Sequence, residues 1–368
     1  MKILQFIYQL GNGGAEKICV ELSNELAQHH KVVVCSATKI KTGMILPKKL
    51  SGDIRLIQLN LKKKSLKGFY QIYKILKNEK PDIVHIHSSL LFFYFSILIV
   101  FFKRIRFVHT IHSALTPAYI KLFDLLSKLR FFHKNLRHIC ISSENQRKYQ
   151  DKYPNLRFFE IDNGIAPMAT TSQLAAVQKE IEKIKNGRNY LFIAVGNYSI
   201  LKNFPMLVEV IKRLNLKGFK ISLIILGEDK SEDQIQWKKI QKMKDDNTHQ
   251  LGLKENVADY LFCSDALILS STKEGMPLVA LEAMSMGTPV ISTPTGGVVD
   301  IIQPGINGFL ARGFEPEDLE REIISFIKST PPPKQKIRKE SKKIFPSEYS
   351  MKKCAGEYLD LYKTILHD

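Results

Sequence analysis

The stretch "ALILSSTKEGMPLVALEAMSMGTPVIST", residues 266–293, decides the fold. It opens on a short apolar run, breaks at Lys273–Gly275, and continues with apolar residues at helical spacing to Met286. Gly287 stops that run, and a second short apolar run follows. Pro277 suits the first helical position, where its missing N–H has no partner to lose. Strand, helix, glycine and strand in this order form the unit of a parallel sheet, because parallel neighbours need a long crossover between them. In an open sheet of that kind the ligand crevice lies outside the carboxyl ends of the strands, where helix amino-termini present free N–H groups. A phosphate could sit on Gly275, Met276, Pro277 and Leu278, with Glu274 at the crevice and Glu282 about a turn and a half into the helix. Carboxylates repel phosphate but accept from hydroxyls, so the two glutamates point to sugar or ribose. Taken singly, each reads more simply as a solvated surface residue.

Outward from this unit the same alternation covers the chain. "KILQFIY", "KVVVCSA", "DIVHIHS", "RFVHTIHS" and "HICISS" alternate with segments of helical period; after "FFEIDNGIAP" the series restarts with "YLFIAVG", "ISLIILG", "ALILSS", "TPVIST" and "NGFLA". Two such series predict two Rossmann-like α/β domains, each a parallel sheet covered on both faces. The boundary falls near Asn163–Pro167, giving residues 1–165, 166–345 and a last segment 346–368. A polar helix over 172–186 opens the second domain. "STPPPKQKIRKESKK", 329–343, reads as a linker, and "YSMKKCAGEYLDLYKTIL" as an amphipathic helix with Tyr358, Leu361, Tyr362 and Ile365 on one face.

At 368 residues with 44% apolar side chains, two cores can be built and disorder is excluded. Five cysteines, odd in number and widely spaced, fit neither a disulfide framework nor a zinc cluster and read as reduced thiols of a cytoplasmic protein. "MKILQFIYQLGNGGAEK" lacks a small-residue cleavage site and reads as a first strand and not a signal peptide. The formal charge of +19 is uneven: residues 1–165 carry +16 and 166–368 carry +3. Such a field attracts anionic lipid, nucleic acid or phosphorylated substrates.

"EGMPLVALE" followed by "GTPVIST" and a Gly-Gly pair resembles the donor-binding signature of retaining glycosyltransferase family 4 (glycosyl transferases group 1), enzymes of the GT-B fold. "GNGGAEK" (11–17), "TIHS" (110–113), "IDNGI" (161–165), "LKNF" (201–204) and "PGINGFL" (304–310) extend the resemblance over almost the whole chain. It implies two Rossmann-like domains facing each other across a donor-binding cleft: 1–165 for the acceptor, 166–345 for the nucleotide sugar, and 346–368 returning to the first domain. It further implies that Glu274 binds hydroxyls of the donor sugar, Glu282 the ribose, and Lys202 the diphosphate. Gly13 and Gly14 would let backbone approach the diphosphate, Gly296 and Gly297 would act similarly, and His112 would contact the transferred sugar. The family usually carries an arginine where "VGNYSILKN" places Asn197, so one phosphate partner is a neutral amide.

The implied reaction transfers a glycosyl unit, with retention, from a nucleoside diphosphate sugar to a hydroxyl. A UDP-sugar is the expected donor, and no cofactor or protein-bound metal is required because Lys202 and helix amino-termini can stabilise the leaving diphosphate. His85, His87, His109 and His112 could bind zinc, but no cysteine or carboxylate joins them locally, and hydrogen-bonded strand-end imidazoles are the simpler reading. In "LNLKKKSLKGFYQIYKILKNEK" (59–80), Leu66, Phe69, Tyr70, Tyr73 and Leu76 form one side of a helix with lysines beside it. This is either an interfacial anchor to anionic lipid or a core-facing helix with a solvated lysine face. "LLFFYFSILIVFFKRIR" (90–106) is too short to span a bilayer and reads as a buried crossover helix. The preferred whole is a peripheral enzyme at the cytoplasmic membrane face, glycosylating a lipid-linked glycan in cell-surface polysaccharide or lipopolysaccharide synthesis. A sugar-nucleotide epimerase or hydrolase of the same fold is one alternative. A non-catalytic basic binding protein is another, although no nucleic-acid recognition motif is evident.

Overall fold

The computed structural model describes all residues except 62–64, 113–116, 127–134, 230–233, 330–332 and 368. The chain divides into two compact units, one of residues 1–166 with 349–368, the other of residues 167–348.

The first unit holds a seven-stranded parallel sheet: β1 (Lys2–Ile7), β2 (Lys31–Ser36), β3 (Arg55–Gln58), β4 (Ile83–Ile86), β5 (Arg106–Ile111), β6 (Leu136–Cys140) and β7 (Phe158–Glu160). Their spatial order is β3-β2-β1-β4-β5-β6-β7. The second unit holds β8 (Tyr190–Val195), β9 (Ile221–Leu226), β10 (Thr248–Gly252), β11 (Ala266–Leu269), β12 (Val290–Ser292) and β13 (Gly308–Leu310). These run β10-β9-β8-β11-β12-β13, also all parallel. In both sheets the order reverses beside the first strand, between β1 and β4 and between β8 and β11. That is the switch point at which doubly wound sheets open a crevice for ligands. Because both faces are covered, the central strands are mostly apolar; β9 is buried at every residue, whereas the edge strands β3 and β10 are more polar and more exposed.

The last helix, Met351–His367, packs on the first unit through Tyr358, Leu361, Tyr362 and Ile365, all buried. The chain enters that unit again where Ile165 and Ser350 form a parallel bridge and Met351 N–H donates to Ile165 O at 2.8 Å.

Two expectations need correction. The lysine-rich stretch 329–343 is not a linker: from Pro333 it belongs to a helix, Pro333–Glu348, that packs on the helix Leu278–Met286. Ile337, Ser341 and Phe345, four apart, are all buried, so the helix has one apolar stripe within a cationic composition. The helix Leu66–Glu79 does not turn one apolar side in a single direction. Ile72 and Leu76 are buried and Phe69 packs on the core, whereas Leu66 is 88% and Tyr70 65% exposed. Lys62, Lys63 and Lys64 lie outside the described residues. The crossover helix Ser89–Phe101 buries Leu91, Phe92, Phe95, Leu98 and Ile99 but leaves Leu90, Ile97, Val100 and Phe101 exposed. Among the described residues, no helix is long and apolar enough to cross a membrane.

Candidate functional site

At the switch point of the second sheet the chain leaves β8 through Gly196, whose φ of 150° and missing side chain leave room for the Lys202 stem. Gly227, at the end of β9, is packed so tightly on the Gly196 carbonyl that a Cβ would collide with it. Asn197 follows and is exposed. Ser199 caps a single 3-10 turn, Ile200–Lys202, and Asn203 in the left-handed region starts the helix Phe204–Leu216. This lysine loop is bonded to the end of the neighbouring strand: Ser270 Oγ donates to Lys202 O at 2.8 Å and Thr272 N–H to Leu201 O at 2.8 Å.

These bonds bring Lys202 onto Glu274. Lys202 Nζ lies 2.6 Å from Glu274 Oε1, and Ser271 Oγ donates to the same oxygen at 2.6 Å. Their side chains are only 21% and 14% exposed, so the pair is partly desolvated and oriented before any ligand arrives. Sequence reasoning placed Lys202 and Glu274 in one crevice but not in one ion pair. It missed Ser271, whose only signal was the pair of serines ending the strand.

The Glu274–Gly275 turn is backed by the second glycine pair. Gly296, at φ 49°, sits where a Cβ would strike the Glu274 carbonyl, and Gly297 N–H donates to Gly275 O. Met276, Pro277 and Leu278 are buried; Pro277 occupies the N-cap, one residue earlier than expected, and Leu278–Met286 is helical. Glu282 is half-buried on that helix, and Gly287, at φ 70°, ends it.

In the first unit Gly13 is the N-cap of the helix Gly14–Ala27, in extended backbone, with the Glu16 carboxylate folded back against it. Neither Gly13 nor Gly14 has positive φ, so any need for glycine here comes from space and not from backbone conformation.

Three of the four histidines, His85, His87 and His112, cluster, and His109 stands apart. His112 Nε2 lies 3.1 Å from His87 Nδ1, and His87 Nε2 lies 2.6 Å from Gln5 Oε1. His85 bonds Thr110 Oγ1 at 2.7 Å and the Tyr362 hydroxyl at 2.6 Å. His109 points to a different environment, stacked on Phe92 with centroids 4.7 Å apart and 3.4 Å from His138 Nδ1. Among the described residues no group of three or more His, Cys, Asp or Glu is placed to hold a metal ion. Burial lowers His112 to about 4 and holds His85, His87 and His109 well below the ordinary imidazole range. Burial also pushes the Cys19, Cys140 and Cys354 thiols up to about 12, which keeps them un-ionised at neutral pH.

The depressed imidazoles make an acid-stability prediction. The unfolded chain takes up protons near pH 6.5, and the folded chain takes them up only near pH 4 at His112 and well below the ordinary imidazole range at His85, His87 and His109. Stability is therefore complete above about pH 6.5 and falls as pH drops toward 4, by about 1.4 kcal/mol per pH unit for each imidazole that stays neutral. Urea melts between pH 7.5 and 4.5 should show this slope; a flat profile above pH 5 would mean that the histidines are solvated.

Two family models match the chain: Glycosyltransferase Family 4 over residues 12–167 and Glycosyl transferases group 1 over 177–344. Among relatives, the N-acetyl-alpha-D-glucosaminyl L-malate synthase of Bacillus anthracis is 22% identical over 97% of this chain and 95% of its own. The UDP-Gal:alpha-D-GlcNAc-diphosphoundecaprenol alpha-1,3-galactosyltransferase of Escherichia coli is 27% identical over 73% of this chain and 71% of its own. Among solved structures, Anabaena Alr3699/HepE in complex with UDP-glucose superposes with a TM-score of 0.81 at 16% identity, covering 99% of this chain and 100% of that one.

Proposed function

Because the chain belongs to the group 1 glycosyl transferases and has their GT-B fold of two Rossmann-like domains, we propose that it moves a sugar from a UDP-sugar to a hydroxyl of a lipid-linked glycan. The observation that carries this reading is the Lys202–Glu274–Ser271 cluster at the switch point of the second sheet. Lys202 and the amino-terminus of the helix Leu278–Met286 offer positive charge to a diphosphate, Asn197 offers a neutral donor, and Glu274 and Glu282 accept from sugar and ribose hydroxyls. Residues 166–345 thus take the nucleotide sugar. Residues 1–165 take the acceptor, with Gly13 and Gly14 near the diphosphate and His112 on the transferred sugar.

Departure of the diphosphate is the charge-separating step, and Lys202 sits where that charge can be met without a protein-bound metal. We read the transfer as retaining because the resemblance to the family implies it, and as front-face because the un-ionised thiols of Cys19, Cys140 and Cys354 are poor covalent nucleophiles and a leaving diphosphate oxygen can take the acceptor proton on the same face. Activity should persist in excess chelator. A relative that acts on a diphosphoundecaprenol-linked sugar supports a lipid-linked acceptor and a role in cell-surface glycan synthesis.

Thermal shift with nucleoside diphosphates and their sugars tests the donor. UDP or a UDP-sugar at 100 times its dissociation constant should stabilise the protein by about 2.7 kcal/mol, and no shift with any uridine nucleotide would refute the reading.

The peripheral-membrane part of the proposal has its own support. Exposed Leu66, Tyr70 and Tyr73 lie on a helix that packs on Ser89–Phe101, whose Ile97, Val100 and Phe101 are also exposed. Lys67, Lys74 and Lys77 are exposed on the first of these helices. An apolar edge beside cations suits the headgroup region of anionic lipid, worth roughly 1 kcal/mol per lysine at the surface. The protein should sediment with anionic but not neutral vesicles and be released by salt. Changing Lys67, Lys74 and Lys77 to Ser together should weaken vesicle binding at least about tenfold while leaving UDP binding intact. Unchanged sedimentation would remove the membrane from the proposal.

A further inference from the structure

We propose that Gln5 and His87 are positioning residues that fix the proton of His112 on Nε2, so that its Nδ1 lone pair serves as a hydrogen-bond acceptor for a hydroxyl of the transferred sugar. The inference rests on reading His112 as a contact to that sugar.

The three residues come from adjacent strands at the switch point of the first sheet. Gln5 lies on β1, His87 directly follows β4, and His112 directly follows β5, with β1 paired to β4 and β4 to β5. Gln5 is fully buried, and its Oε1, 2.6 Å from His87 Nε2, can only accept. His87 must therefore donate from Nε2. A neutral imidazole has one N–H, so His87 Nδ1 is left as an acceptor, and it faces His112 Nε2 at 3.1 Å. His112 in turn must donate from Nε2 and keep its lone pair on Nδ1. Burial keeps both rings neutral at neutral pH, which satisfies the one-proton condition at each step. Among the described residues nothing bonds Nδ1 of His112.

A second chain stops the middle ring from turning. The His85 ring lies 4.0 Å from the His87 ring, centroid to centroid, and His112 stacks on His87 itself at 5.4 Å. His85 is itself held at both nitrogens, by Tyr362 from the last helix and by Thr110, which also meets the Tyr358 hydroxyl at 2.9 Å. The return of the last helix to the first unit thereby braces the ring that orients His112. The chemistry favours this polarity. A sugar leaving its diphosphate acquires positive charge at the anomeric carbon, and a neutral lone pair beside it avoids the like charge that an imidazolium would bring.

The test is nitrogen-15 NMR of the full chain labelled at histidine, together with kinetics of UDP release from UDP-glucose. The wild type should show His87 and His112 each protonated on Nε2 alone. A proton on Nδ1 of His87 would reverse the chain and overturn the proposal, and this measurement needs no variant to fold. In Gln5→Leu the two rings should lose their single tautomer and kcat should fall about tenfold to a hundredfold, with KM for UDP-glucose changed less than about twofold. Unchanged tautomers or unchanged kcat in Gln5→Leu would overturn the positioning role. His112→Ala separates the two readings: if it leaves kcat unaltered, the sugar contact fails, while the tautomer result stands or falls on the spectra.

Discussion

Lys202→Ala is expected to lower turnover more than about 100-fold, the loss seen when a preorganised donor to a developing anion is removed. Lys202 is the cation that the structure aims at the switch point of the second sheet: its stem passes over Gly196, its backbone is tied to Ser270, and its ammonium is held 2.6 Å from Glu274. The position where relatives of this kind usually carry an arginine is the exposed amide Asn197, so the remaining charge carries more of the task. The effect should appear mainly in kcat, because a leaving diphosphate gains charge that a bound one has not yet developed. Asn197→Arg should be tolerated or should tighten UDP binding. In the Lys202→Ala background it should restore part of the rate, since a second cation would reach the same oxygens. A folded Lys202→Ala protein with wild-type turnover would place the diphosphate elsewhere.

Which parts of this arrangement can be read from the sequence depends on the range of the interaction. Strand and helix alternation is local, and so is the Gly287 stop, where the left-handed backbone demanded by the helix end suits glycine. The segment 266–293 therefore displays its own architecture. The helix Pro333–Glu348 hid because its lysines and prolines dominate composition, while the stripe Ile337, Ser341 and Phe345 that docks it includes a buried serine which reads as polar. The ion pair of Lys202 and Glu274 joins residues 72 apart, and the bond of His85 to Tyr362 joins residues 277 apart. Neither can be inferred from spacing; both follow only once strand order sets β8 beside β11 and the last helix beside β4. The helix Leu66–Glu79 shows a different limit. Its apolar residues are numerous enough to serve a core and an exposed edge at once, and helical periodicity alone does not say which residues go where.

Glu274→Gln and Glu282→Ala should differ in kind as well as in size. Glu274 Oε1 already accepts from Lys202 and Ser271, which leaves the other carboxylate oxygen for a sugar hydroxyl. The amide keeps the shape and one acceptor but loses the charge that orders Lys202. Hydrogen bonds to charged groups are worth about 1.5–3 kcal/mol, so Glu274→Gln should reduce kcat by roughly 10- to 100-fold, with UDP affinity nearly unchanged because UDP has no sugar at that position. Glu282 stands on the fifth residue of the helix Leu278–Met286, past the turn where the diphosphate would rest, and a ribose lies beyond a diphosphate on the side away from the sugar. Its loss should weaken UDP and UDP-sugar alike, by a similar energy, and leave kcat at saturating donor close to that of the wild type. Calorimetry with UDP, run beside steady-state kinetics, separates the two patterns. Equal small effects from both substitutions would return the glutamates to the solvated surface and take the sugar and ribose roles away from this turn.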